Sequence, residues 1–206
     1  MKGKFITFEG SEGSGKSTQS RLLYEYLKSK GYKVIYLREP GTTRISEKIR
    51  NILLDAKNNS MLPVCETLLY MASRAQLVDE VIRPAISGGK IVICDRFLDS
   101  TLAYQGYGLG IDINAIKRIG DFATQGIKPD LTIFLDLPVK EGLRYRHSTK
   151  DRIEKRSLAY HTKVRNGYLT LAAKEPGRIK IVKIQQDKNI TQGNIRKIAD
   201  NFLATH

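Results

Sequence analysis

The 206-residue chain has only two cysteines, Cys65 and Cys94, and they form neither a CxxC pair nor a disulfide framework. It lacks any apolar run near the roughly 18 residues that a membrane-spanning helix requires. The opening MKGKFITFEG is broken by Glu9 too early to read as a secretory leader. These shortages predict a reduced, cytoplasmic protein with no membrane-embedded part. Repeats, low-complexity tracts and linker-like stretches are missing too, so a single domain over residues 1–206 is expected. Acidic residues are scarce: 21 Asp and Glu face 35 Lys and Arg, a net charge of +14. Such a balance draws a protein toward nucleic acid, membrane headgroups or phosphorylated small molecules without choosing among them.

What is present is an alternation of short apolar runs with longer helical patterns. KFITF (4–8), KVIYL (33–37), KIVIC (90–94), LTIFL (131–135) and IKIVKI (179–184) read as strands. They are β-branched or aromatic-rich and most are apolar on both faces, as strands between helical layers must be. Helices are predicted from Ser17 to Lys30, stopped by Gly31, and over about 191 to 204 from Thr191. Over 62–87, Val64, Leu68, Met71, Ala75, Val78 and Ile82 recur every three or four residues, which predicts one continuous buried seam. The order implies an α/β fold with right-handed crossovers: a mostly parallel five-stranded sheet with helices on both faces. Ligands in such folds sit beyond the carboxyl ends of the strands. There the chain places a glycine loop, REPG (38–41), DRF (95–97), a basic stretch over 140–165, and QQD (185–187).

The glycine loop is the sharpest motif. Gly10, Gly15, Lys16 and Ser17 satisfy GxxxxGK[ST], with Gly13 in addition, at a strand-to-helix junction. Backbone N–H groups must turn inward around phosphate oxygens with no side chain in the way, and the following helix N-terminus adds positive potential. Gly10, Ser11, Glu12, Gly13, Ser14, Gly15, Lys16, Ser17 and Thr18 therefore form the expected nucleotide cradle. Lys16 would reach the terminal phosphates, and the Ser17 hydroxyl would take a place on Mg²⁺. A cradle alone says nucleotide and not reaction.

Five motifs in order carry more: FEGSEGSGKST (8–18), LREPG (37–41), LLYMASRAQ (68–76), CDRFLDSTLAYQGYG (94–108) and DRIEKRSLAYHTKVRNGYL (151–169). Together they resemble thymidylate kinase in its bacterial form. The likeness runs to about residue 172, and the remainder carries only a strand and a helix. The resemblance implies a P-loop nucleoside monophosphate kinase fold with a basic lid segment near 140–165. It also implies transfer from ATP, with Mg²⁺, to dTMP to give dTDP for DNA precursors, and a homodimer. No histidine base stands out among His147, His161 and His206, and none is required, because a phosphate monoester is already largely ionised at neutral pH. The obstacle is repulsion between two polyanions.

The same resemblance implies the site residues. Arg96 grips the acceptor phosphate; Asp95 is the acidic partner of Mg²⁺ or its waters, with Asp136 as a rival. Arg38 and Glu39 face the acceptor phosphate and metal, and Arg50 is a further phosphate-side arginine. Tyr70 stacks on thymine and Arg74, four residues on along one helical face, bonds its carbonyl. Thr101 and Gln105 contact the base, Tyr104 crowds the sugar 2′ position, and Glu12 lies near the 3′-hydroxyl. Arg152 is the foremost lid arginine, followed by Arg144, Arg146 and Arg156, since position 13 is Gly where one family subgroup has arginine. Thr42 stands where relatives usually have a second glycine. Two other readings meet contrary signals. The sets Tyr70/Arg74 and Thr101/Gln105 point away from a kinase for another monophosphate. The lack of a groove-reading helix or RNP-type motif points away from a nucleic-acid-binding protein, so no stable nucleic-acid complex is expected.

Overall fold

Strand β1 (Lys4–Gly10) is buried along its whole length, which only a central strand with both faces covered can be. The computed structural model describes residues 3–145 and 151–205. In it β1 lies between β3 (Ile91–Asp95) and β4 (Leu131–Asp136), flanked by β2 (Val34–Arg38) and β5 (Ile179–Lys183) in the order β2-β3-β1-β4-β5. Every pairing is parallel, so the sheet is wholly rather than mostly parallel. All five strands stand where the apolar runs predict them, within two residues. The register sets Phe8 beside Asp95 and Ile133, and Arg38 beside Asp95. The carboxyl ends of β1 to β4 therefore share one rim.

Alternate β1 residues serve different layers. Ile6 and Phe8 pack with Leu23 and Leu27 of α1 (Lys16–Ser29) and with Ile195, Ala199 and Leu203 of α9 (Lys188–Ala204). On the other side, Phe5, Val92 and Cys94 meet Leu77, Val78 and Ile82, while Phe134 and Ile179 meet Tyr168 and Leu171 of α8 (Leu158–Lys174). No described helix is long and apolar enough to cross a membrane.

The helical expectations need correction at three places. First, α9 starts at Lys188, capped by the Asp187 carboxylate on the Asn189 N–H at 2.8 Å, ahead of the expected Thr191. Second, the 62–87 segment is not one regular helix: α3 (Pro63–Leu77) passes through a π-helical turn (Val78–Ile82) into α4 (Arg83–Ser87). Pro84 has no N–H to return to the preceding turn, and the wider turn accommodates it. Nor is its seam continuously buried. Met71, Val78 and Ile82 are inside, but Val64 and Leu68 are 62% and 48% exposed, and the polar face carrying Glu66 and Arg74 turns inward instead. Third, residues 158–165 of the basic stretch are the first turns of α8, capped by Ser157. Only α7 (Val139–Gly142), the 3₁₀ turn Leu143–Tyr145 and a turn over 151–156 remain from its described part. Arg146 and His147 fall outside the described residues, as does His206. The apolar runs gave no warning of α2 (Arg44–Leu54), α5 (Leu98–Thr101) with its π-helical extension (Leu102–Gly108), or α6 (Ile113–Thr124).

Candidate active site

The glycine loop is curled on itself. Ser14 Oγ and Lys16 Nζ both donate to the Ser11 carbonyl at 2.8 Å. Gly13 has φ +73°, and a Cβ there would stand 2.0 Å from the Gly142 carbonyl oxygen, so the backbone of α7 leaves no room for a side chain. One side of the loop (Gly13, Ser14, Gly15, Thr18) faces a cavity of about 360 Å³ closed by Leu137, Glu141 and the 184–191 segment. The other side (Glu12, Lys16, Ser17) faces a second cavity of about 400 Å³. Gly10 and Ser11 lie behind the loop: a Cβ on Gly10 would meet the Leu135 carbonyl at 2.7 Å.

Into the second cavity the sheet rim delivers Arg38 and Glu39 at the end of β2 and Asp95 and Arg96 at the end of β3. Helix α2 adds Arg50, α3 adds Tyr70, and the 98–108 helix adds Thr101, Tyr104 and Gln105. Arg74 is absent from that wall. It is 1% exposed, bonded through Nε and NH2 to Glu39 Oε2 (3.0 and 2.7 Å), and through NH2 to the Phe97 carbonyl and Thr101 Oγ1. The second amino nitrogen, NH1, meets only the soft Met71 sulfur. Arg74 thus braces Glu39 and Thr101 from below.

Arg96 takes φ +74°, unusual for a side chain with a Cβ, and is heavily bonded: NH2 to Glu12 Oε1 (2.7 Å) and Tyr104 Oη (3.1 Å), NH1 to the Gly10 carbonyl (3.2 Å) and Ser100 Oγ (3.1 Å). Its guanidinium lies 4.9 Å from the Tyr104 ring centroid. Burial alone would lift the Glu12 carboxyl, but Arg96 and then Lys16 outweigh it and hold Glu12 at about 2. Burial, joined by the like charge of Arg96, pulls the Lys16 ammonium down to about 8.

A set of hard oxygen donors sits beside the loop. Ser17 Oγ donates to Asp95 Oδ2 at 2.5 Å, and the Glu39 N–H donates to the Asp95 carbonyl at 2.9 Å. Glu39 Oε1 is buried and has no hydrogen-bond partner among the described residues. One hydroxyl, one carboxylate and one orphaned carboxylate oxygen fit Mg²⁺, which takes few protein ligands and fills its octahedron with phosphate oxygens and water. Asp136, by contrast, is committed to Arg165 by two bonds of 2.7 and 3.0 Å.

The flanking arginines divide. Arg50 donates to the Pro40 carbonyl at 2.9 Å and lines the cavity, while Arg38 forks onto Glu47 at 3.0 Å near solvent. Thr42 takes a left-handed conformation that favours glycine, at φ +77°. Its N–H donates to Glu47 Oε1 and its hydroxyl donates to the Arg38 carbonyl, which holds the strained residue in place.

Among the described residues, the expected lid arginines Arg144, Arg152 and Arg156 do not converge on the glycine loop. Arg144 is exposed at the end of the α7 turns. Arg152 is buried, with NH1 on Glu66 Oε2 at 2.5 Å and Nε on the Leu53 carbonyl at 3.0 Å. Arg156 reaches the same Glu66 oxygen at 2.6 Å. The 151–156 turn that carries them contributes Asp151, Ile153 and Glu154 to the second cavity.

Glu9 and Glu66 are buried carboxylates at the site that were not singled out in the sequence. Glu9 accepts from the Phe97 N–H (2.8 Å), Ser100 Oγ (2.6 Å) and Tyr168 Oη (2.9 Å), the last two hydroxyls also touching Arg96. Burial, then the neighbouring Asp99, push its carboxyl up to about 7. The signal was available, since Thr7 and Glu9 are polar at alternate positions of a strand buried on both faces. Glu66 was legible as the third member of the helical series Glu66, Tyr70, Arg74, each four residues apart.

A family model described as Thymidylate kinase matches residues 8–195. The chain is 47% identical over 204 residues to the thymidylate kinase of Thermoanaerobacter sp. (strain X514), covering 98% of this chain and 100% of that protein. It is 52% identical over 189 residues to that of Geotalea daltonii (strain DSM 22248 / JCM 15807 / FRC-32), covering 87% and 88%. Its structure is similar to the crystal structure of thymidylate kinase from Ehrlichia chaffeensis, with a TM-score of 0.81, 35% identity, and coverage of 97% of this chain and 100% of that one.

Proposed function

The chain belongs to the thymidylate kinase family, and from that premise we propose that it transfers the terminal phosphoryl group of ATP to dTMP, giving ADP and dTDP for DNA-precursor synthesis. One observation carries the reading. The glycine loop is the shared wall of two cavities, so a donor lying along one side and an acceptor in the other bring their phosphates together at Lys16 and Arg96. The attacking oxygen belongs to the acceptor phosphate, already ionised, so positioning and charge neutralisation do most of the work.

Lys16 and the loop N–H groups of Glu12 to Thr18 take the donor phosphates, and Arg96, with Arg38 and Arg50 nearby, takes the acceptor phosphate. Ser17 and Asp95 would hold Mg²⁺, with Glu39 Oε1 available to its water shell; the bound ion screens phosphate charge and orients the donor. In the acceptor cavity Tyr70 supplies an aromatic face for thymine. Thr101 and Gln105 bond the base edge, with Arg74 bracing Thr101 from behind the cavity wall. Tyr104 stands against the sugar 2′ position. Glu12 moves from Arg96 to the 3′-hydroxyl when phosphate displaces it. Arg152 acts in the reaction from its place on Glu66, as part of the cover over the acceptor cavity.

The exposed apolar residues Leu62, Val64 and Leu68 of the α3 region, with Ile45 and Ile52 of α2, support a homodimer formed through these helices. The test of function is a coupled assay offering ATP and Mg²⁺ with each nucleoside monophosphate in turn. dTMP should be turned over best and dUMP next, because a methyl-sized space is worth only about 1–3 kcal/mol. Equal turnover of purine monophosphates would sink the assignment.

A further inference from the structure

The acceptor cavity is closed by two segments far apart in sequence, and one buried carboxylate touches both. Gln105 closes it at the 98–108 helix, and Asp151, Ile153 and Glu154 close it at the 151–156 turn. Glu66 of α3 is fully buried. Its Oε1 accepts from Gln105 Nε2 at 2.8 Å, and its Oε2 accepts from Arg152 at 2.5 Å and Arg156 at 2.6 Å. Both oxygens are satisfied by charged or amide donors, which makes burial of the charge tolerable. The links continue on each side. The Arg152 N–H and Nε reach the carbonyls of Leu54 and Leu53, and Arg156 donates to Tyr160 Oη at 2.7 Å, which donates to the Tyr104 carbonyl at 3.3 Å.

We propose that Glu66 is a positioning residue for the reaction. Through its two oxygens it sets the base-contacting amide of Gln105 and the cover formed by the 151–156 turn in one geometry. The inference rests on the acceptor assignment made above. Glu66 touches no substrate and acts through Gln105, Arg152 and Arg156. Base recognition and exclusion of water from the acceptor phosphate are therefore built on a single carboxylate. Arg152, with NH1 on Glu66, Nε on Leu53 and a buried NH2 without a partner among the described residues, is an anchor of that cover.

The test is steady-state kinetics of the full chain and its Glu66→Gln variant, varying dTMP and ATP separately and measuring ADP released per dTDP formed. The amide keeps the shape of the carboxylate and removes its charge. The expected result is a KM for dTMP raised on the order of tenfold, a KM for ATP within about twofold, and an ADP to dTDP ratio above one as water enters. Arg156→Gln cuts the same link from its partly exposed side and should show the same split more weakly; it decides the matter if Glu66→Gln fails to fold. In the double variant the two effects should not add. A variant that shifts only the melting temperature, that raises both KM values alike with the ratio at one, or whose effects sum in the double, overturns the proposal. A wild-type chain that fails to phosphorylate dTMP condemns the acceptor assignment itself, and that result is visible before any variant is made.

Discussion

Arg96 and Tyr104 meet on one oxygen of Glu12, each at 2.7 Å of Oε1, directly or through the Tyr104 hydroxyl. On the proposed acceptor assignment that clamp occupies the groups for the acceptor phosphate and sugar, so ligand binding would exchange a carboxylate for a phosphate on the same guanidinium. Exchange of like for like costs little reorganisation, which suits a site whose chemistry is mainly electrostatic.

Arg96→Ala should lower kcat by at least about a hundredfold, because the guanidinium neutralises the acceptor where the two phosphates repel. ATP binding, measured by calorimetry without acceptor, should change by less than about threefold. An equal loss of ATP affinity would mean that donor and acceptor sites are not divided as described.

Thr42 offers a backbone test. A β-branched residue at φ +77° is strained, and its hydroxyl and N–H are what hold it there. Thr42→Val keeps the strain and removes the hydroxyl, so it should destabilise by about 1–2 kcal/mol. Thr42→Gly relieves the strain while losing the same bond, so denaturant midpoints should barely move. Should Thr42→Gly prove the worse of the two, the strain argument fails.

Glu9 predicts a pH dependence whose sign is fixed. Its carboxyl titrates at about 7 in the fold against 4.5 as the ordinary value, so between those pH values the native state binds more protons than the unfolded one. Its contribution is fully present below about 4.5 and is lost as pH rises through 7. Glu12, held at about 2, has the opposite sign: its contribution is present above 4.5 and is lost as pH falls toward 2. Glu9→Gln should therefore gain stability relative to the wild type as pH is raised from 5 to 8. Urea unfolding curves whose difference stays constant over that range would refute it.

The parts of this molecule legible in its sequence are those fixed by local chemistry. Five strands followed from apolar runs, and the left-handed loop followed from Gly13 and Gly15. Tyr70 and Gln105 could be placed at one cavity because the resemblance carried them there. What stayed hidden depends on partners distant in the chain. Nothing near Arg152 says that its charge goes to Glu66, 86 positions earlier, and nothing near Val64 says that α3 turns its polar face inward. A helix with apolar and polar stripes is read with the apolar stripe inside. Here Glu66 and Arg74 reverse that, because each is buried against polar and charged partners, and the Val64 and Leu68 part of the apolar stripe is left to solvent.

The two aspartates at the strand ends provide the last test. Both follow apolar strands and look alike in sequence, but the fold gives them different neighbours: Asp95 has the Ser17 hydroxyl, whereas Asp136 has the Arg165 guanidinium. Replacing a carboxylate by an amide at a hard-cation site weakens the ion's hold, and excess ion offsets the loss. Asp95→Asn should raise the Mg²⁺ concentration giving half-maximal activity on the order of tenfold, with partial recovery at high Mg²⁺. Asp136→Asn should leave that concentration unchanged. It should lower stability by about 1 kcal/mol, since the pair it breaks is only partly buried. If the Mg²⁺ requirement follows Asp136 instead, the metal belongs at the other edge of the loop, and the hydroxyl–carboxylate contact beside Lys16 is a hydrogen bond of the fold alone.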